Sequence, residues 1–600
     1  MPHRRRETLS PASPAPSLPA APIGIALRRS FAAGYGVDAL RADLLAGAVV
    51  GVVALPLSMA LAVAVGVPPQ HGLYTAIVAG AVAALAGGSK FQVTGPTAAF
   101  VVVLAPIVER EGLHGLLAAG LLAGLLLIAM GFARLGRLVH FIPYPVTTGF
   151  TAGIATVIAT LQAKDALGLS VQHMPESFAG KVVALWAARG TASWSASAMT
   201  LVTLGLLLAT PRLLRRVPAP LVALSAVALA TWLFGLPVET IGTRFHVVVD
   251  GREIAGIPAL LPVPAWPWAG GWPSWASLQA LLPAAFAIAM LGAIESLLSA
   301  VVADGMTGKR HDPDAELVGQ GLANVAGALF GGIAATGALA RTATNVRSGA
   351  RSPIAALTHS LVVLLAVALL APLLAHVPMA ALAALLLVVA WNMSELRHVR
   401  RILRTAPRSD VCVLVTCYAL TVLFDMVVAV SVGVVLASLL FLRRMAELTH
   451  SHVIDDGDED ETDRALPRGV VVYEISGALF FGASQNAMSA LGAIRSDARV
   501  VILGLGRVPV IDATGLVALE SALDQLERHG HFVIVAGPLP EPRSVFARSE
   551  LEVRMDHVLF AADLDEAIRI ASDLVRLNAD WSEAWAGRSE LRSGDRPAGA

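Results

Sequence analysis

A single carboxylate, Glu295, sits inside a long apolar run from Ser277 to Val302. A charge at the centre of a membrane helix costs about 2.5–3.5 kcal/mol on insertion scales, so such a residue is a functional candidate by default. Two broken segments offer it partners. The first reads Phe91-Gln92-Val93-Thr94-Gly95-Pro96-Thr97-Ala98-Ala99, the second Ala335-Thr336-Gly337-Ala338-Leu339-Ala340-Arg341-Thr342-Ala343. Gly95 permits an unusual backbone angle, and Pro96 suits the first turn of a helix. Helix amino ends meeting inside a bilayer would each offer free N–H groups and roughly half a positive charge. Such a place favours an anion. Thr94, Gly95, Thr97, Ala340, Arg341 and Thr342 are therefore the candidate substrate-binding residues. Arg341 adds a full charge and a planar fork suited to a carboxylate or sulfate.

Burial disfavours an ionised carboxyl, whereas a nearby guanidinium favours it. A Glu beside an anion site can thus hold a proton while the anion is bound and release it afterwards. Glu295 and Ser299, one turn apart on one face, are the candidate coupling residues. With Glu295 ionised, the same groups could hold sodium instead. Pro56 and Ser58 either line the pathway or mark a packing kink. His359, alone in an apolar helix, reads as a hydrogen-bonded interior histidine rather than a ligand.

The elements that must position these groups follow from composition. Of 600 residues, 56% are hydrophobic and only 15% charged, against about 25% charged in soluble domains. The repeated apolar runs predict a polytopic helical membrane protein. Helices are expected near 42–66, 71–88, 97–109, 113–133, 138–163, 195–214, 219–236, 277–304, 314–332, 339–350, 354–376, 378–393, 409–423 and 425–444. Arginines and lysines recur at alternate turns, from Arg28 and Arg29 through Lys90, Arg134, Arg212, Lys309, Arg347 and Arg397 to Arg443. That bias puts both termini on the cytoplasmic side. Ala79–Ser89 resembles Ala323–Ile333. With seven helices per half, the halves are inverted repeats, the plan of many secondary transporters.

The expected domains are a disordered arm at 1–40, a transmembrane part at 41–445, an acidic linker at 446–467, a soluble α/β domain at 468–577 and a disordered tail at 578–600. Gly469–Glu474 and Val500–Leu505 read as strands, and Thr514–Arg528 and Leu564–Val575 as helices.

Several function classes lose support. Zero net charge says nothing about nucleic acid, but the lack of a basic face argues against it. Cys412 and Cys417 lie in one apolar segment and read as small helix residues, not a disulfide frame or metal site. Gly305–Arg310 lacks the first glycine and the hydroxyl of a Walker A loop. With no metal-ligand spacing and no nucleophile–base set, neither a cofactor nor an enzyme is expected.

The stretches Gln70–Tyr74, Val93–Ala99, Ile294–Leu298, Asp304–Gly308 and Glu316–Gly321 resemble the SulP anion transporter family, the sulfate permease group related to prestin and pendrin. The resemblance covers about 40–577. It implies fourteen helices in two inverted repeats forming core and gate domains, substrate between the amino ends of the third and tenth helices, alternating access, and often a homodimer. Val510–Gly515 resembles the Asp-Ser-Ser/Thr-Gly loop of STAS domains. Ala513 stands where bacterial antagonists carry the phosphorylated serine, which argues against a phosphoserine switch although Thr514 remains. A regulatory, folding or docking role, with a cytoplasmic protein as partner, is implied rather than catalysis. Leu57 follows Pro56 where many sulfate-type members carry Gln, and Glu295 stands where sodium-coupled bicarbonate members place Asp. Ala335–Pro353 looks most like the bacterial proton-coupled C4-dicarboxylate branch. The implied function is proton-coupled symport of succinate or fumarate in a bacterial inner membrane, with sulfate or bicarbonate as alternatives. A non-transporting sensor or scaffold signalling through the STAS domain is the alternative of another class.

Overall fold

A computed structural model describes residues 23–577 apart from 138–142, 172, 176, 215–216, 250–251, 269–273, 425, 448, 455–465, 482, 490–493, 495–497, 550 and 552–557. Most of the expected N-terminal arm, the acidic run of the linker and the expected tail lie outside the described residues.

The chain divides into two compact units, 1–435 and 436–600. The first is helical. Its elements begin with α1 (Ile25–Ala32), α2 (Val37–Val65), α3 (Pro69–Tyr74), a π-helical turn at Thr75–Ala79 and α4 (Gly80–Ala86). The strand β1 (Thr94–Gly95) leads into α5 (Ala98–Phe132), followed by α6 (Tyr144–Leu167), α7 (Phe178–Ala187), α8 (Trp194–Leu213) and α9 (Ala219–Phe234). A short α10 (Ile241–Arg244) and a hairpin of β2 (His246–Val249) and β3 (Arg252–Ala255) precede α11 (Trp275–Thr307) and α12 (Pro313–Leu329). Then come β4 (Thr336–Gly337), α13 (Leu339–Arg347), α14 (Ile354–Leu374), α15 (Met379–Met393), α16 (Leu396–Thr405), α17 (Arg408–Leu423) and α18 (Met426–Glu447).

Among the described residues, eight helical stretches are long and apolar enough to cross a membrane, one of them being α15 and α16 taken together. The other expected spans correspond to shorter or interrupted helices. The expected third and fourth helices form one run, α5, broken at Gly112, whose φ of 68° and ψ of −172° lie outside helical space. Only glycine reaches that backbone without strain. The expected second helix is three pieces, because the π turn at Thr75–Ala79 interrupts it.

Four stretches differ from expectation. Part of the supposed arm is the helix α1, held because Gly24 donates its N–H to the Ala86 carbonyl at 2.7 Å and Ala26 and Ser30 are buried. α7 and α16 form where connecting loops were expected; both are short amphipathic helices that a long apolar window passes over. The supposed linker contains a strand, β5 (His450–Ile454), so the sheet of the second unit starts before 468.

That sheet continues with β6 (Val470–Ser476), β7 (Val500–Arg507), β8 (Phe532–Ala536) and β9 (Val558–Ala561), in the order β5-β6-β7-β8-β9. β5 runs antiparallel to β6, and the rest are parallel. Its helices are α19 (Ser484–Ser489), α20 (Ala513–Arg528), α21 (Pro540–Arg548) and α22 (Leu564–Leu577). Alternate strand residues face opposite layers. Val501, Leu503, Val533 and Val535 pack with Leu519, Leu523 and Leu526 of α20. Val500, Ile502, Ile534 and Ala536 pack with Ala567 and Ala571 of α22. Both faces are covered, which is why these parallel strands read as continuous apolar runs.

Candidate functional site

The two broken segments meet. β1 and β4 pair antiparallel, Thr94 opposite Gly337 and Gly95 opposite Thr336. Ala338 also donates to the Val93 carbonyl at 2.9 Å. Because the strands are antiparallel, α5 and α13 leave from opposite ends of this pair, each with its amino end beside it. Neither helix has a side-chain cap at its start, so its first N–H groups are not bonded by a capping residue.

Arg341 bridges the two starts. It sits in the first turn of α13, is buried, and donates from Nη2 to the Pro96 carbonyl just ahead of α5. Its Nε and Nη1 have no hydrogen-bond partner among the described residues. The guanidinium lies so close to Gly95 that a Cβ there would meet Nη1 at 2.4 Å. Gly95 is therefore required for the approach of Arg341, and not for the unusual backbone angle expected of it, because it is an ordinary strand residue outside left-handed space.

Glu295 and the hydroxyls of α11 complete the group. The Thr97 hydroxyl donates to Glu295 Oε2 at 2.8 Å, and Glu295 also feels the charge of Arg341. Glu295 and Thr97 are half-buried, whereas Thr94, Ser296, Ser299 and Thr342 are buried. Ser299 donates to Thr342 Oγ1 at 3.0 Å, and Thr342 accepts from the Val93 N–H at 3.1 Å. Ser296 Oγ accepts from the Gly337 N–H at 3.0 Å and pairs with Thr336 Oγ1 at 2.9 Å. One helix thus touches both halves.

The sequence reading gave no role to the residues that fix this geometry. Glu316, Gln320 and Asn324 are four apart and form one polar stripe on α12. Glu316 accepts from the N–H groups of Gly88 and Ser89 at 2.9 and 2.8 Å and from Gln92 Nε2 at 2.7 Å. Gln320 accepts from the Thr94 hydroxyl at 3.2 Å and donates to the Ala335 carbonyl at 2.7 Å. Asn324 accepts from the Ala335 N–H at 2.8 Å and donates to its carbonyl at 3.0 Å. The signal available in sequence was the four-residue spacing of three polar residues inside a helix with small, apolar neighbours.

Other candidates fall elsewhere or play a smaller part. Ala340 is exposed at the start of α13. Pro56 lines an apolar cleft of about 390 Å³ with Leu55, Met59, Leu224, Trp232 and Leu374. Ser58 is fully buried, and its hydroxyl has no partner among the described residues. His359 is buried in α14, and neither of its ring nitrogens has a hydrogen-bond partner among the described residues, so the expected hydrogen-bonded interior histidine is not what the structure holds. A larger cavity, about 480 Å³, lies between α5, α6, α7 and α11. It is lined by Val102, Ile107, Leu281 and Ala284 among others, and Val102 lies a little over one turn along α5 from Thr97.

Residues 40–417 match the Sulfate permease family. The chain belongs to that family. Residues 463–567 match the STAS domain, in agreement with the five-stranded unit. Among sulfate permease relatives, the chain is 40% identical to a putative sulfate transporter, YvdB, of Bacillus subtilis, over 86% of this chain and 95% of that one. It is 32% identical to the bicarbonate transporter BicA of Synechocystis, over 83% and 88%. Its fold is similar to that of the murine Solute Carrier 26 family member A9 anion transporter, with a TM-score of 0.79, 18% identity, and 92% and 94% of the two chains covered. A membrane-embedded anion transporter with a C-terminal STAS domain is the description these findings support.

Proposed function

We propose that the chain is a secondary active transporter that moves a small anion together with a proton by alternating access. The observation that carries this reading is the meeting of Arg341 with Pro96 beside the Thr97–Glu295 hydrogen bond. Unengaged guanidinium donors and uncapped helix starts favour a negative charge. Thr94, Gly95, Thr97, Ala340, Arg341 and Thr342 form the binding surface in this reading. Glu295, with Ser299 behind Thr342, is the coupling group. The cavity near Val102 is the route of approach along α5.

The substrate we assign is a C4-dicarboxylate such as succinate or fumarate, because segment 335–353 most resembles that branch. Sulfate is the second reading, favoured by the 40% identity to a protein described as a putative sulfate transporter. Bicarbonate is the third, on the likeness to BicA. A sodium ion at Glu295 would replace the proton in either variant. We place both termini on the cytoplasmic side of a bacterial inner membrane, expect a homodimer, and give the STAS unit a regulatory or docking role.

Uptake of labelled succinate, sulfate and bicarbonate into proteoliposomes separates these readings. An inward proton gradient should drive accumulation of one of them, and a sodium gradient alone should not. If none is moved while the purified protein captures a soluble partner, the sensor or scaffold reading replaces transport.

A further inference from the structure

α16 carries two opposed faces on ten residues. Arg397, Arg400, Arg401 and Arg404 are spaced three and four apart and share one face; Leu396, Val399, Ile402 and Leu403 share the other. All four arginines are exposed, and none of their guanidinium groups has a hydrogen-bond or ion-pair partner among the described residues. The apolar face is only half covered by protein. Ile402 is buried, and the helix packs on α6. Leu396 and Leu403 are 50% and 49% exposed.

The position of α16 decides what covers the rest. Glu395, with φ 42° and ψ 37°, sits in left-handed space and breaks the chain away from the apolar α15. The helix is therefore not a continuation of that span. Trp391, near the end of α15, is 69% exposed; indole rings of this kind collect at the headgroup level of a bilayer. The helix then leads through the exposed Arg408 into the apolar α17. A short helix between two membrane-facing helices, basic on one side and leucine-bearing on the other, suits a lipid interface.

We propose that α16 is a docking surface for anionic lipid, with Leu396 and Leu403 in the acyl boundary and the four arginines on phosphate headgroups. Charge complementarity selects the occupant: the face holds four unpaired cations and no acid. A basic side chain near an anionic leaflet adds about a fivefold preference for it, screened by salt. The anchored helix would tie the α15–α17 turn to the composition of the leaflet without touching Glu295 or Arg341.

The test uses the purified full-length protein in detergent, with added phosphatidylglycerol or phosphatidylcholine, and reads retained lipid by native mass spectrometry. Wild type should retain phosphatidylglycerol over phosphatidylcholine by about tenfold or more, falling as salt rises. Replacing Arg397, Arg400, Arg401 and Arg404 by Gln should bring the two lipids near parity, while replacing them by Lys should keep most of the preference. If the four-site Gln variant does not fold, the Arg400→Gln, Arg404→Gln pair should show a partial loss. Equal retention of both lipids by wild type, or an unchanged preference in a folded Gln variant, overturns the proposal. So does a preference that appears only after the acidic run Asp455–Asp463 is neutralised, because the occupant of the basic face would then be the chain itself.

Discussion

The Thr97 hydroxyl donates to the Glu295 carboxylate at 2.8 Å, across 198 residues of sequence. Thr97 stands at the start of the helix that follows the first broken segment, and Glu295 lies in mid-helix in α11. A change in the protonation of Glu295 would therefore be felt at the amino end of α5, where the anion is proposed to bind. Thr97→Val should weaken proton-driven accumulation by about 3- to 10-fold, as expected for a hydrogen bond worth ~1 kcal/mol. Thr97→Ser should retain it. The ratio of proton-driven uptake to equilibrium exchange in proteoliposomes is the measurement.

Arg341→Lys should raise the KM for the anion by about 10- to 100-fold, the scale of a charge-assisted hydrogen bond of 1.5–3 kcal/mol. Lysine keeps the charge but loses the fork that reaches Pro96 and leaves further donors. A KM within a factor of about two of wild type would remove the guanidinium from the binding site.

Gly95→Ala places a methyl 2.4 Å from Arg341 Nη1. The guanidinium must then leave Pro96 or the strand pair must open, at a cost of about 1–3 kcal/mol for overpacking. Transport should be abolished or nearly so, with the protein still reaching the membrane. Wild-type uptake by this variant would mean that the observed approach of Arg341 is dispensable.

Gln320→Leu should lower Tm and raise KM together. It leaves the Ala335 carbonyl with one donor fewer and strips the Thr94 hydroxyl of its acceptor, each worth about 1–3 kcal/mol when buried. Gln320→Glu keeps an acceptor for Thr94 and loses the donor to Ala335, so it should restore part of the KM. Thermal unfolding of the purified variants, paired with uptake kinetics, separates positioning from simple loss of fold.

The site was legible in sequence where one residue type betrayed it. Glu295 and Arg341 are costly in apolar surroundings, and Gly95-Pro96 and Gly337 mark chain breaks. The template that holds these breaks was not legible as a function. Gln320 meets Thr94 across 226 residues and Ala335 across 15, and no local pattern announces such partners. Helical periodicity found most spans but passed over α1, α7 and α16, which are short and polar on one side. β5 was hidden because five residues beside an acidic run carry little pattern of their own; its pairing with β6 defines it. Pro56 was singled out as a pathway residue or a packing kink, and its place in an apolar cleft with α9 and α14 depends on packing that a lone proline does not report.

In the STAS unit, Asp512 caps α20. Its Oδ1 accepts from the Gly515 N–H at 2.7 Å and its Oδ2 from the Phe481 N–H at 3.1 Å. Asp512→Ala should destabilise this unit by about 0.5–2 kcal/mol, the range for lost caps, read as a lower Tm or denaturation midpoint. The neighbouring Ala513 and Thr514 are exposed, so Ala513→Ser should leave that stability within about 0.5 kcal/mol, as surface changes do.

The most direct test of coupling is Glu295→Gln in proteoliposomes containing the anion that wild type accumulates. Glutamine keeps the shape and an acceptor for Thr97 but cannot exchange a proton. Equilibrium exchange of labelled anion should persist, while accumulation driven by an inward proton gradient should vanish. A Glu295→Gln protein that still concentrates the anion on a proton gradient alone would contradict the account.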